Sequence, residues 1–345
     1  MYYAYLFYPI GSNQDPLGQP GLLHLLEHYL IIHTIEREDS LEASSLTGCS
    51  NHIYMVFAWK GKREREFWKK LLPERNIFFH RESSRAYLEQ AKEEILAEMD
   101  YYKSDKGEYE SFLLNISGEK YISPMGERKT IEEASLEDLE ELYGRLPSPS
   151  YYEYDLKEEV LSCISFSQNP MNKEYKRPLV LFKWGKKGDK DFLCFPSIGF
   201  RSEKISALNR GVLKELYLTH LTRGIRKVFS LNGGLSYQSF LFDWNRAYIC
   251  FDLTGQVEKG SLELAPFSLD SEEFHGCKEE IKSKILVQEE KTLDYMDLLD
   301  EVVGREIYGE NKLFSSKEKF LRLLEEVSLE DFQSYKDSLG DFSFY

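Results

Sequence analysis

His24, Glu27 and His28 stand within one apolar run, GLLHLLEHYLIIHT, over Gly21 to Thr34. On an α-helix, residues three and four apart share a face, and four residues climb about 6 Å. The two imidazoles can therefore converge on one metal ion at bond lengths of about 2 Å. Glu27 lies beside them, where its carboxylate could take a proton from a metal-bound water. A helix otherwise made of Leu and Ile gains nothing structural from two histidines and an acid, and burying them is costly.

The spelling H-x-x-E-H, with the acid next to the second histidine, is the inverted form of the zinc-peptidase helix. Two histidines leave a zinc site short of a third protein ligand, with one position kept for water. The stretch Glu82 to Lys103, ESSRAYLEQAKEEILAEMDYYK, carries helical apolar spacing at Ala86, Leu88, Ala91, Ile95, Leu96 and Met99. It leaves Glu94 and Glu98 four apart on a shared face, and a carboxylate from this helix is the natural third ligand. The other candidates lack companions. Cys49 and His52 make a C-x-x-H that nothing completes, His33 at the end of the metal helix reads as a capping or surface residue, and His80 and His275 have no companions. Gly233-Gly234 reads as a turn, without the glycine pattern of a phosphate cradle.

The elements that must position these residues are legible in outline. Tyr2 to Pro9 is an aromatic strand, followed by a turn-rich loop, Gly11 to Gly21, that launches the metal helix. Ser50 to Trp59 is a second strand and Arg63 to Leu72 a short helix. Ile131 to Arg145 contains a helix capped by Ser135, with Asp138 at the capping-box position. Further strands are expected at Val160 to Phe166, Leu179 to Trp184, Phe192 to Phe195 and Arg246 to Thr254. Helices are expected at Ala207 to Val228 and Cys277 to Ile307.

The chain then repeats itself. IEEASLEDLEELYGR (131–145) returns as LEEVSLEDFQSYKDS near the C-terminus, with Ser328 as the cap, and AKEEI (91–95) returns as CKEEI (277–281). Two echoes in one order imply a duplicated unit. The second copy loses the metal pair, since its counterpart run Leu213 to Arg223 holds only His220. With Pro147, Pro149, Pro170 and Pro178 between the copies, two homologous domains are expected, 1–172 and 173–345. Strands and helices do not alternate strictly, so each is expected to be α+β, a mostly antiparallel sheet with helices packed on one face.

Composition bounds the setting. At 345 residues and 42% hydrophobic, the chain can bury two cores. Its net charge of -15 disfavours nucleic acid and anionic membranes and suits a basic or neutral peptide. Five scattered cysteines without C-x-x-C spacing point to free thiols. The start MYYAYLFYPIG has neither a basic region nor a long apolar core, so a cytoplasmic protein without a membrane span is expected.

The chain resembles the pitrilysin/insulinase (M16) family of zinc peptidases. The resemblance is carried by GQPGLLHLLEH (18–28), EEILAEM (93–99), YISPMGERKTIEEASLEDLEELY (121–143) and LTRGIRKVFSLNGGLSYQS (221–239). It implies His24, His28 and Glu98 as zinc ligands and Glu27 as general base. Arg226, or its rival Arg223, and Tyr237 would bind substrate, and Tyr237 would also steady the tetrahedral intermediate. The family carries a further acid seven positions before the third ligand. Here that position is Ala91, and Glu94 is the substitute. Family members commonly begin with a further strand ahead of the one at Tyr2. The resemblance implies a zinc endopeptidase acting on extended peptides, in a chamber of which one pair of domains is half. A homodimer working in trans is the first expectation. A heterodimer with a related subunit, processing peptide precursors such as leader peptides, and a non-catalytic peptide-binding relative are the alternatives.

Overall fold

A computed structural model describes residues 2–37, 46–61, 79, 82–101, 123–155, 160–165, 181–187, 190–198, 210–229, 235, 237–241, 246–252, 269–287, 298–299, 302–303, 306, 317–338 and 343–344. The expected helix over Arg63–Leu72, His80 and Gly233-Gly234 lie outside these residues. The chain divides into two compact units, Met1–Glu174 with Tyr295–Val302, and Tyr175–Asp294 with Val303–Tyr345.

The first unit is built on strands β1 (Tyr2–Tyr8), β2 (Leu46–Ser50), β3 (Met55–Gly61), β4 (Ser150–Asp155) and β5 (Val160–Ser165). They form an antiparallel sheet in the order β2-β3-β1-β4-β5. Side chains alternate across a strand. Ala4, Leu6 and Tyr8 of β1 therefore join Phe57 and Trp59 of β3 in one cluster, while Tyr5 and Phe7, pointing the other way, are equally buried. A strand apolar on both faces belongs inside a sheet, and β1 lies between β3 and β4. Against the cluster pack helices α1 (Leu22–Arg37), α2 (Ser84–Tyr101), α3 (Arg128–Glu133) and α4 (Leu136–Gly144). Helix α1 supplies Leu22, Leu25, Leu26 and Tyr29, and α2 supplies Leu88, Ala91 and Ile95. Truncating a leucine buried like Leu26 costs about 2–5 kcal/mol.

The second unit has strands β6 (Leu181–Lys187), β7 (Lys190–Ile198), β8 (Tyr237–Leu241), β9 (Arg246–Asp252) and β10 (Ser343–Phe344). Their order is β10-β6-β7-β9-β8, antiparallel except where β10 meets β6. Its helices are α5 (Arg210–Phe229), α6 (Ser271–Val287), α7 (Lys317–Glu326) and α8 (Leu329–Ser338). Leu213, Leu216 and Tyr217 of α5 meet Cys277 and Ile281 of α6, Leu324 of α7 and Phe332 of α8. The architecture is α+β with mostly antiparallel sheets.

The repeated sequence does the same work twice. Ser135 and Asp138 form a full capping box on α4. Ser328 and Asp331 exchange the same bonds at the start of α8. Lys92 of α2 donates to the carbonyl of Glu132, and Lys278 of α6 to the carbonyls of Glu325 and Val327. In each unit a lysine on a long helix thus braces the end of the helix that precedes the cap, where carbonyls lack partners and the helix dipole favours a cation.

Several boundaries differ from the sequence expectation. Ser50 to Trp59 is not one strand. Asn51 accepts the backbone N–H groups of Ile53 and Tyr54 on its side-chain oxygen, which turns the chain between β2 and β3. The segment 150–155, expected as part of an interdomain connection, is β4, paired to β1. The second long helix starts at Ser271, before Cys277, because Asp270 caps it through the N–H of Glu273, and it is described as far as Val287. Among the described residues no helix is long and apolar enough to cross a membrane.

Candidate metal centre

Helix α1 is launched from a fixed point. Asp15 accepts the N–H groups of Gly21 at 2.6 Å and Leu23 at 2.8 Å, satisfying donors that a helix start leaves open. Gly21 has φ +94 and Gly126 φ +79, and a Cβ on either would overlap the Cα of the other. The Glu127 N–H also bonds the Pro20 carbonyl at 3.1 Å. The GQPG and SPMGE segments of the sequence therefore meet backbone to backbone, and side chains at both positions are excluded.

From that origin α1 and α2 bring His24, His28 and Glu98 together. His24 Nε2 is 3.8 Å from Glu98 Oε2 and His28 Nε2 is 3.6 Å from Glu98 Oε1. The imidazoles stand edge to face, with centroids 4.9 Å apart. One donor atom from each of the three residues lies within 4.8 Å of the other two. Ligands at about 2.1 Å in tetrahedral array are separated by about 3.4 Å, so small adjustments would let the trio hold a zinc ion. The donor set, two imidazoles and a carboxylate, suits zinc. Burial, and secondarily His28, lower the pKa of His24 to about 3, so its ring is neutral and able to ligate at neutral pH. Its Nδ1 is buried with no hydrogen-bond partner among the described residues.

Glu27 is 3% exposed and its Oε2 has no partner among the described residues. Burial raises its pKa to about 7, against the opposing pull of His28, which places it in the range of a group that takes and returns protons at neutral pH. Room for the carboxylate comes from Gly48 on β2, where a Cβ would overlap Glu27 Oε1 and crowd Ile31. Glu94, the other acid on α2, is not part of the trio. Its Oε2 meets His28 at Nδ1, 3.1 Å away, while Ala91 is fully buried in the core. Sequence reasoning missed Asp15, Gly48 and Gly126. Only the glycines in loop or strand context offered a signal, and nothing in the chain order pairs them with their partners.

A second trio, His220, Glu273 and Cys277, is equally close-set but electrostatically opposite. Arg223 Nε donates to Glu273 Oε1 at 2.7 Å and Lys227 Nζ to Oε2 at 2.6 Å, so the carboxylate is already neutralised by two cations. Burial pushes the Cys277 thiol up to about 12, away from the thiolate a metal needs. This cluster is an ion-pair lock between α5 and α6. Around His24, His28 and Glu98, no lysine or arginine pairs with the acids among the described residues, and the two clusters part company on that point.

The remaining expected residues lie in the second unit. Arg223 is held by Glu273 and, at 3.4 Å, by Glu280. Arg226 is more loosely placed, 3.9 Å from Glu280, with a buried Nε that lacks a partner among the described residues. Tyr237 opens β8, is 46% exposed, and rests its ring on Phe251. Partial burial, and then Glu215, raise its pKa, so its hydroxyl remains a donor. His33, expected as a capping or surface residue, is instead buried and stands edge-on to Tyr87, while His52 bonds Ser12 and His275 is exposed.

No family model and no curated protein matches the chain by sequence. Solved structures do. The periplasmic protease PqqL from Escherichia coli aligns at TM-score 0.64 and 12% identity, over 98% of this chain and 44% of that one. A putative M16-like peptidase from Alicyclobacillus acidocaldarius aligns at 0.59 and 12%, over 98% and 89%. The chain has the fold of the M16 peptidases. It spans less than half the length of PqqL. A chain of complex III2 from Candida albicans shares this M16 fold at 0.61 and 10% identity, over 98% and 87%. Fold alone does not specify an activity, and the chemistry rests on the site.

Proposed function

We propose that this M16-fold chain is a zinc-dependent endopeptidase that cuts extended peptides, with His24, His28 and Glu98 as ligands and Glu27 as general base. The observation that carries the reading is the approach of two imidazole Nε2 atoms to the two oxygens of one carboxylate, with a buried acid on the neighbouring helical position. A zinc ion bound there would supply Lewis acidity, lowering the pKa of a coordinated water and polarising the peptide carbonyl.

The chain's own residues do the rest. Glu27 accepts the proton of the attacking water on its carboxylate and delivers it to the departing amine. Gly48 keeps that carboxylate in place. Strand β2 is the edge of the first sheet among the described residues, and an extended peptide adding to it would run past Glu27, bound by backbone hydrogen bonds. Arg226 and Tyr237 bind the peptide, the tyrosine donating its O–H to the oxygen on which charge develops.

One pair of domains is half a chamber, and a homodimer closes it, with Arg226 and Tyr237 serving the partner's zinc site. The strongly negative chain favours basic or neutral peptides, and its compartment is the cytoplasm. The direct test is metal content and peptide cleavage for wild type, His24→Ala, Glu98→Ala and Glu27→Gln. Expected is stoichiometric zinc in wild type and Glu27→Gln, zinc loss in the ligand variants, and cleavage by wild type alone. Zinc without cleavage of any peptide library would instead favour a peptide-binding relative. Mixing Glu27→Gln with Tyr237→Phe tests the dimer, since one intact site per mixed dimer restores part of the activity. A monomer active only beside a second, related chain would replace the homodimer with a heterodimer that processes peptide precursors.

A further inference from the structure

We propose that Ser50, on the edge strand β2, is a positioning residue for Glu27, its O–H donating to the carboxylate. The inference rests on the reading of Glu27 as general base for its purpose, and on strand register for its geometry. In the β2–β3 pair Leu46 lies opposite Trp59, Gly48 opposite Phe57 and Ser50 opposite Met55. Residues directly opposite in an antiparallel pair share one face of the sheet. Trp59, Phe57 and Met55 all belong to the cluster on which the helices pack, so Ser50 is turned towards α1. Gly48 shows which residue of α1 lies there, because a Cβ on it would overlap Glu27 Oε1 and crowd Ile31. Ser50 is the next residue on that face, about 7 Å along the strand. Its hydroxyl stands close enough to the Glu27 carboxylate to favour the charged form.

A donor and an acceptor are both open at this place. Glu27 Oε2 and Ser50 Oγ are buried without a hydrogen-bond partner among the described residues. Leaving two such atoms open beside each other is costly, and a serine hydroxyl turns about a single side-chain bond to reach its acceptor. A carboxyl group offers an acceptor oxygen with or without its proton, so the bond does not depend on the charge of Glu27. Gly48 and Ser50 then act together. The missing side chain gives the carboxylate its room, and the hydroxyl removes its freedom to turn within that room. The second unit supplies the contrast. Strand β8 lies at the edge of its sheet as β2 does, and carries Ser239 and Leu241 at its third and fifth places, where β2 has Gly48 and Ser50. Neither the glycine nor the hydroxyl two residues beyond it recurs there.

The experiment compares kcat and KM for peptide cleavage, and zinc content, in wild type, Ser50→Ala and Ser50→Thr. Ser50→Ala should lower kcat about tenfold, the size of one hydrogen bond to a charged group, with KM and zinc content at wild-type values. Ser50→Thr keeps the O–H and should recover most of the lost rate, which a merely structural role would not produce. A second measurement, urea unfolding of the metal-free full chain, needs neither metal nor substrate. Ser50→Ala should lower the midpoint, and that loss should vanish or reverse when Glu27→Leu is already present. If Ser50→Ala fails to fold, Ser50→Val takes its place, having the shape of threonine without the hydroxyl. Wild-type kcat in Ser50→Ala, a Ser50→Thr no faster than Ser50→Ala, or an equal midpoint loss in both backgrounds overturns the inference. Loss of cleavage in Glu27→Gln would leave the general-base reading standing in that case. If wild type cleaves no peptide, that reading falls, and the urea measurements still decide whether Ser50 is bonded to Glu27.

Discussion

Gly48 on β2 leaves the volume of its missing side chain to the carboxylate of Glu27 on α1. Gly48→Ala must push that carboxylate away from its place beside the imidazoles. Proton transfer depends steeply on geometry, so hydrolysis should fall at least about tenfold. His24, His28 and Glu98 are untouched, and zinc content should stay at the wild-type value. Metal analysis beside cleavage rates checks both halves of the statement.

Glu27 and His24 set opposite pH dependences in the metal-free protein. The raised Glu27 pKa means that its contribution to stability is complete below about pH 4.5 and is lost as pH rises through about 7. The lowered His24 pKa means that its contribution is present above about pH 6.5 and is lost as pH falls towards 3. Glu27→Gln removes the first effect only. Its stability relative to wild type should rise by about 2–3 kcal/mol between pH 4 and pH 8, measured by denaturant unfolding of metal-free samples.

The two capping boxes should behave as equals. Ser135→Ala and Ser328→Ala each remove a side-chain acceptor from a helix start and should cost about 1 kcal/mol. In a double variant the costs should add, since each box serves its own core. Lys278→Met, which strips the carbonyls of Glu325 and Val327 of their donor, should cost about 1–3 kcal/mol. Chemical denaturation provides all four values.

Removing metal should loosen one pair of long helices and spare the other. Helices α1 and α2 meet through His24, His28, Glu94 and Glu98, which a bound cation would tie together. Helices α5 and α6 carry their own cations in Arg223 and Lys227. On chelation, amide hydrogen exchange should speed up in α1 and α2, with α5 and α6 unchanged. Raising the salt concentration should act mainly on the second pair, through screening of its partly exposed cations.

How far the chain order foretold the molecule depends on the reach of each signal. The metal helix and both serine caps follow from local spacing; that spacing left Glu94 and Glu98 both open as the third group, and in the structure it is Glu98 that lies with His24 and His28. Strand β4 was hidden because Tyr151, Tyr152 and Tyr154 sit among prolines and acids that imitate a connection, and only pairing with β1 reveals it. The β2–β3 hairpin was hidden because Asn51 turns the chain just ahead of the apolar run Ile53 to Trp59, at a place that neither Gly nor Pro marks. Asp15, Gly48 and Gly126 act on partners elsewhere in the chain, and a sequence carries no distance between Gly21 and Gly126. The choice between Glu94 and Glu98 needed coordinates for the same reason, since both lie on the right face and only their reach to particular ring nitrogens separates them.

The lysine braces at Lys92 and Lys278 belong to the frame rather than to the chemistry. Because each unit has its own, the ends of α3 and α7 are held independently of the helix turns that carry His24, His28 and Glu98 in one unit and Arg223 in the other. The second unit, where Arg223 meets Glu273 and Glu280, is tied across its long helices by its own cation and keeps its frame without borrowing one from solution.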